Sequence, residues 1–174
     1  MLTVRRATPQ DAEAFAAVVA EVAAEERWIA TEPPVDVAAF AERVRATIAQ
    51  GEDALWVAED DRRVVGTLGL HATRAKGVLS LGMCLVERAR GRGGGRALLT
   101  AALEHAAAAP VHKVELEVWP DNERAIGLYR AFGFEVEGER RLHYRRRDGS
   151  LRSSLIMARL LPADDRGPPA ADRA

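Results

Sequence analysis

The chain has 174 residues, enough for one well-buried domain and short for two. Its 25 Lys and Arg nearly balance 26 Asp and Glu, a net charge of −1, so no overall field selects nucleic acid or a membrane as partner. One cysteine excludes an internal disulfide, no apolar run reaches membrane-spanning length, and Met1-Leu2-Thr3-Val4-Arg5-Arg6 holds no signal-peptide core; a cytoplasmic protein of a reducing compartment is expected.

Residues 2–6 alternate as a short strand, and Thr8-Pro9-Gln10-Asp11 reads as an N-cap with proline at the first helical position. Phe15, Val18, Val19 and Val22 then mark one face of a helix that should end near Arg27. Pro33 and Pro34 make 28–35 (WIATEPPV) a loop. Asp36 can cap a second helix, lined by Val37, Phe40, Val44 and Ile48 and closed by Gly51. Strands at 54–59 and 64–71 form a hairpin pattern around Asp60-Asp61-Arg62-Arg63, without a turn glycine.

A third long strand, 76–86, runs into a glycine cluster, and the cluster into a helix (93–109) stopped by Pro110. Residues 113–119 alternate, with Val114, Leu116 and Val118 on one face and Glu115, Glu117 and Trp119 on the other. Pro120-Asp121-Asn122 breaks the strand and caps a helix reaching Phe132, where Gly133 ends it. Residues 134–142 and 151–161 read as a closing hairpin around Asp148-Gly149. One domain over 1–161 and a disordered tail at 162–174, with three prolines, are expected. The order β-α-α-β-β-β-α-β-α-β-β implies an α/β fold with a mixed sheet of six or seven strands and helices on both faces.

The cluster Gly91-Arg92-Gly93-Gly94-Gly95-Arg96 is the unusual stretch. Glycine in a helix costs about 1 kcal/mol relative to alanine, so three of them in a first turn imply a need for bare backbone. An anion meets that need, because a helix start presents unpaired N–H groups and the positive end of the dipole. Arg90, Arg92 and Arg96 add charge around it. A flexible connection is the plain alternative. A Walker A loop is excluded: Gly95 is followed by Arg96 and Ala97, not by lysine and a hydroxyl. A dinucleotide fingerprint has its first two glycines, and Glu115 or Glu117 in place for a ribose, but arginine where its last glycine belongs. The non-alternating element order weakens it.

The third pattern, R-x-x-G-x-G at Arg90, Gly93 and Gly95, resembles motif A of the GNAT superfamily of acetyl-CoA-dependent N-acetyltransferases. The stretch 122–135, NERAIGLYRAFGFE, is similar to the superfamily's motif B, and two helices before the main sheet match its usual order. The resemblance implies that the backbone of Gly91, Arg92, Gly93, Gly94, Gly95 and Arg96, with Arg90 beside it, cradles the pyrophosphate of coenzyme A. It implies that Met83, Cys84 and Leu85 pair with the pantetheine arm and polarise the acetyl carbonyl, with the strand splaying at Val86-Glu87-Arg88. Asn122 would contact the arm. Tyr129, two helical turns further on, would protonate the departing sulfur as general acid; at an ordinary pKa of ~10 it can donate to a thiolate of ~8.5. A nucleophilic Cys84 has no base nearby in sequence.

Two carboxylates compete for the base. Glu117 lies five residues before Asn122, as does the base in the ribosomal-protein alanine acetyltransferases of the superfamily; Glu32 lies in the Thr31-Glu32-Pro33-Pro34 turn where the acceptor should arrive. The proton matters energetically: at pH 7 a lysine-like ammonium (pKa ~10.4) costs roughly 4 to 5 kcal/mol to deprotonate, an α-ammonium (~7.7 to 8.0) only about 1.

WIATEPP, DNERAIGLY, EGERR (137–141) and DGSLR with IMARL resemble the branch that acetylates free amino acids and related small amines. That branch often carries an acidic residue where this chain has Arg152-Ser153-Ser154. Arg140, Arg141, Arg145, Arg146 and Arg147 around His143 and Tyr144 read as an exposed basic hairpin, or as a site for an acidic acceptor or the coenzyme's 3′-phosphate. The leading expectation is an acyltransferase moving acetyl from acetyl-CoA, its co-substrate, to a small-molecule amine. A protein N-terminal or lysine acetyltransferase and a non-catalytic acyl-CoA-binding module are the alternatives. No metal is expected, since His71, His105, His112 and His143 are scattered, and no nucleic acid or membrane partner; the resemblance leaves a homodimer open. The alanine and arginine richness is that of a high-GC bacterial genome.

Overall fold

A computed structural model describes residues 2–51 and 53–162. The tail expected at 162–174 therefore lies, apart from Pro162, outside the described residues. The elements are β1 (Thr3–Arg6), α1 (Ala12–Ala23), α2 (Val37–Gln50), β2 (Ala54–Asp60), β3 (Arg63–Ala72), β4 (Val78–Leu85), α3 (Gly94–Ala107), β5 (Lys113–Val118), α4 (Glu123–Ala131), β6 (Glu135–Arg145) and β7 (Leu151–Leu160). Their order is the one the sequence implied. Among the described residues no helix is long and apolar enough to cross a membrane.

Local chemistry explains most boundaries. The Asp36 carboxylate accepts from the Ala39 N–H at 2.9 Å, and Gly51, at φ 71°, closes α2 in the left-handed region that glycine adopts without strain. Before α1, Asp11 accepts from both the N–H and the hydroxyl of Thr8 at 2.7 Å, behind a 3-10 turn at Pro9–Asp11. This helix stops at Ala23 rather than near Arg27, because its last turn tightens (Glu26 N–H to Ala23 carbonyl, 2.9 Å) and Glu26 turns to φ 52°. The β2–β3 hairpin needs no glycine because Asp61 and Arg62 themselves take φ 48° and 65°, the two-residue turn that matches strand twist.

Seven strands form one sheet in the order β1-β2-β3-β4-β5-β7-β6, antiparallel everywhere except between β4 and β5. On one face Phe15, Ala16 and Val19 of α1 and Ala41 and Val44 of α2 pack over Leu55 and Val57. On the other, Leu98, Leu99 and Leu103 of α3 and Ile126 and Tyr129 of α4 pack over Trp56, Leu68, Leu81, Leu116 and Met157. Leu98 and Leu99 are fully buried, and each contributes roughly 1.5–3 kcal/mol by leaving water.

The parallel pair positions the site. β4 and β5 are joined from Val78/Lys113 to Leu81/Leu116 and no further. Beyond that point β4 stays with β3 to Leu85/Gly66, while β5 stays with β7 to Val118/Leu155. Each strand follows its antiparallel partner, and a gap opens between them. The splay thus begins at Gly82, not at Val86-Glu87-Arg88 as the sequence suggested; Glu87–Ala89 forms a 3-10 turn after the strand has ended.

The gap as a candidate active site

The gap widens into a cleft of about 790 Å³. One wall is Gly82, Met83, Cys84 and Leu85 of β4, and the opposite wall is Glu117 and Val118 of β5 with Trp119 just after it. Gly91, Gly93, Gly95 and Arg96 line it at the start of α3; Asn122, Arg124, Leu128 and Tyr129 enter from α4, and Ile29, Ala30, Tyr144 and Ser154 also face it.

The glycines divide by role. Gly91 and Gly93 sit at φ 77° and 89°, and a Cβ on Gly93 would meet nothing within 4 Å, so that position faces open space. Gly94 does not line the cleft; it is buried, and a Cβ there would come within 2.8 Å of Leu85 Cδ2. It is a packing glycine. The arginines divide too. Arg90 is held by Glu25, and Arg92 leaves the cleft for Asp60, Nη1 to Oδ2 at 2.5 Å. Arg96 faces the cleft with its guanidinium 5.3 Å from the Phe132 ring centre. Arg124, which the sequence reading passed over, lies with Nη2 against Gly91. Its signal was its place in the first turn of the helix that Asn122 caps.

Tyr129 is buried and Cys84 half-buried at this junction. Burial pushes the Tyr129 phenol well above its ordinary value, and the Cys84 thiol up to about 11. Cys84 lies 3.4 Å from the Thr67 hydroxyl and is no activated nucleophile. Asn122 caps α4, its Oδ1 accepting from the Ala125 N–H at 3.2 Å, and still lines the cleft. Among the described residues no group of three or more His, Cys, Asp or Glu could hold a metal ion.

Three donors converge on Glu117. Oε2 accepts from the Ser154 hydroxyl at 2.6 Å and the Tyr144 hydroxyl at 3.0 Å, and Oε1 pairs with Arg140 Nη1 at 2.9 Å. An irregularity in β6 makes this arrangement: Arg140 pairs with Ser154 but Tyr144 with Arg152, so β6 carries two extra residues and Leu142 turns to φ 49°. Glu32 is elsewhere. It does not line the cleft, but accepts from the Arg147 N–H at 3.1 Å and pairs with Arg146 Nε at 3.2 Å.

Of the hairpin arginines, Arg140, Arg141, Arg145 and Arg147 are exposed, as the sequence suggested, and Arg146 alone is buried. Arg146 donates through Nη1 to the carbonyl of Ala30 at 2.9 Å, Arg147 donates to that of Pro33, and Arg152 to that of Arg27 at 3.0 Å. The arginines fasten the loop between α1 and α2 along one end of the cleft. Where an acidic residue is common in the branch this chain resembles, Arg152 pairs with Asp121 at 2.8 Å and Ser154 supports Glu117.

A sheet parted between its two parallel strands, with a glycine-opened helix at the parting, defines a class of transferase folds, and comparison with known proteins identifies which. The model of the acetyltransferase (GNAT) family matches residues 18–134, and the chain belongs to that family. It is 34% identical over 104 residues to the L-amino acid N-acetyltransferase AaaT of Escherichia coli K12, a stretch covering 58% of this chain and 64% of that relative. Among solved structures, a ribosomal-protein-alanine N-acetyltransferase from Brucella melitensis superposes with a TM-score of 0.83 at 26% identity, covering 91% of this chain and 99% of that one. A phosphinothricin acetyltransferase from Sinorhizobium meliloti, solved with AcCoA, superposes at 0.84 with 24% identity, covering 98% and 94%.

Proposed function

We propose that this protein transfers an acetyl group from acetyl-CoA to the primary amine of a small molecule, an amino acid or a related amine. The observation that carries the reading is one cleft that takes in the glycine turn of α3, the buried phenol of Tyr129 and the oriented carboxylate of Glu117. The residues fit the co-substrate: bare backbone at Gly91, Gly93 and Gly95, Arg96 and Arg124 beside it for phosphate, and the strand edge from Gly82 to Leu85 for an extended arm.

Acetyl-CoA supplies an activated thioester. Met83, Cys84 and Leu85 offer backbone to the arm and the acetyl oxygen, and Asn122 contacts the arm. Glu117 takes the proton of the incoming ammonium. Tyr129 gives its proton to the departing sulfur; burial raises its pKa, which keeps the phenol protonated while making each transfer more uphill. Glu32 supports Arg146 and is not the base. The lone thiol fits a reducing compartment, and the reaction is assigned to the cytoplasm.

A small acceptor is favoured over a protein tail by the wall at Ile29 and Ala30, tied to the last hairpin by Arg146. Similarity to the Escherichia coli L-amino acid N-acetyltransferase supports the same class. The test is release of free thiol from acetyl-CoA with amino acids and with short peptides as acceptors. Turnover on peptides alone overturns the small-molecule reading, and absence of turnover on any amine overturns acetyl transfer.

A further inference from the structure

Among the described residues, two buried side-chain donors find no acceptor in the protein: Trp119 Nε1 and Arg146 Nη2. They belong to neighbours, the Arg146 guanidinium lying 5.9 Å from the centre of the Trp119 ring. Both side chains are more than nine-tenths buried, Arg146 at 7% exposure and Trp119 at 4%. The rest of Arg146 is committed, Nε to Glu32 and Nη1 to the carbonyls of Ile29 and Ala30. Ile29, Ala30 and Trp119 line the cleft, and Arg146 lies directly behind Ile29 and Ala30, outside the lining itself. A buried donor left unmade is destabilising, a charged one most of all. Unpaired N–H donors on two neighbouring planar groups, one of them cationic, are the chemistry that holds a carboxylate.

We propose that Arg146 and Trp119 bind the carboxylate of the acceptor, so that the preferred amine is an amino acid in its free-acid form. The inference rests on reading the cleft as an acetyltransferase site. The residues between the two poles support it: Trp119 stands edge-on to Tyr144 at 5.0 Å, and the Tyr144 hydroxyl donates to Glu117. A zwitterion therefore finds a carboxylate for its ammonium at one pole, a guanidinium for its carboxylate at the other, and aromatic surface between. The segment in front of Arg146, 24–36, has neither helix nor strand, so a ligand carboxylate that displaces its carbonyls from Arg146 unmakes no ladder.

The test pairs each common L-α-amino acid with its own carboxamide, which keeps the α-amine and side chain but removes the negative charge. Turnover of acetyl-CoA by the full chain is followed as released thiol. The amide carries the less basic amine, so preference for the acid does not reflect supply of free nucleophile. The acid should exceed its amide in kcat/KM by roughly tenfold or more, the worth of a hydrogen bond to a charged group. Arg146→Gln and Trp119→Phe should each bring that ratio down toward one, chiefly through KM for the acid. Trp119→Phe keeps a ring against Tyr144, and decides the matter if loss of the Arg146 contacts to the loop prevents folding. Equal use of acid and amide by the unaltered protein, or a ratio preserved in Trp119→Phe, overturns the carboxylate site and leaves acetyl transfer standing. Inactivity on every amine removes both.

Discussion

Glu25 holds Arg90 with both carboxylate oxygens, Oε2 to Nη1 at 2.7 Å and Oε1 to Nη2 at 2.5 Å, while Arg90 Nε donates to the Leu85 carbonyl at 2.9 Å. The arginine that begins the R-x-x-G-x-G pattern is thus a bracket between the end of α1 and the end of β4. Three of its five N–H donors are spent on the protein although it lines the cleft, and under the proposed function the phosphates fall chiefly to the glycine backbone, Arg96 and Arg124. Arg90→Met and Glu25→Gln should each cost about 1–3 kcal/mol, the range for hydrogen bonds to charged groups. At roughly 2–4 °C per kcal/mol, the loss is readable in a thermal melt. The double variant should lose much less than the sum, since the residues share one interaction. The Arg90 partnership depresses the Glu25 carboxyl, so its contribution is present above its ordinary value near 4.5 and disappears as pH falls below that. Additive losses, or a pH-independent gap between Glu25→Gln and the parent, would show the pair to be idle.

Tyr129→Phe isolates the phenol from the ring. The ring packs against Phe134 with centroids 5.8 Å apart, and this contact survives the substitution. A general acid contributes about 10²–10⁴-fold, so kcat should fall by at least about 100-fold while KM for acetyl-CoA changes little. The pH profile carries a second sign. An acid must hold its proton, and burial raises the pKa of this one, so its alkaline limb moves upward and no fall in kcat assignable to Tyr129 should occur below about pH 10. Unchanged kcat in the phenylalanine variant would return Tyr129 to a packing role.

Gly93→Ala separates strain from ligand. The new methyl would meet no protein atom within 4 Å, but the residue sits at φ 89°. Left-handed backbone costs an alanine about 1–2 kcal/mol, and the melt should show that much and no more. Any larger effect must come from what approaches the loop. We expect KM for acetyl-CoA to rise by about tenfold or more, because the methyl occupies the space a phosphate oxygen would take. A KM that does not move would place the diphosphate elsewhere.

The parts of this molecule legible in its sequence are those decided within a few residues. Pro33-Pro34, Asp36 and Gly51 bound α2, Pro120-Asp121-Asn122 starts α4, and Gly133 follows it, each by local backbone preference. What could not be read depends on partners far away in the chain. Arg90 and Arg92 look alike beside a glycine cluster, yet one pairs with Glu25, 65 residues back, and the other with Asp60, 32 back. Gly94 looks like its neighbours until Leu85 is placed against it. The splay point is set by β3 and β7 rather than by residues 86–88. Arg146 reads as one cation in an exposed run, and only the α1–α2 loop, which meets it through Ile29, Ala30 and Glu32 more than a hundred residues back, buries it.

Glu117 is the carboxylate whose role can be tested by pH alone. Ser154, Tyr144 and Arg140 fix its orientation, so Glu117→Gln keeps the shape of the group and removes its capacity to take a proton. Without a base, only amine that has already lost its proton reacts. The rate of the variant should then rise about tenfold per pH unit until pH reaches the pKa of the acceptor, about 7.7 to 8.0 for a peptide α-amine, higher for a free amino acid whose own carboxylate holds the ammonium, and about 10.4 for a lysine-like amine. At pH 7 the loss should reach about 10²-fold or more for the more basic acceptor and be smaller for the less basic one, because a base matters in proportion to the proton it must remove. Glu32→Gln, outside the cleft, should keep the parental profile and act only on acceptor KM through Arg146. Parallel profiles for Glu117→Gln and the parent, with only KM altered, would make Glu117 a binding group for the ammonium and leave proton removal to solvent.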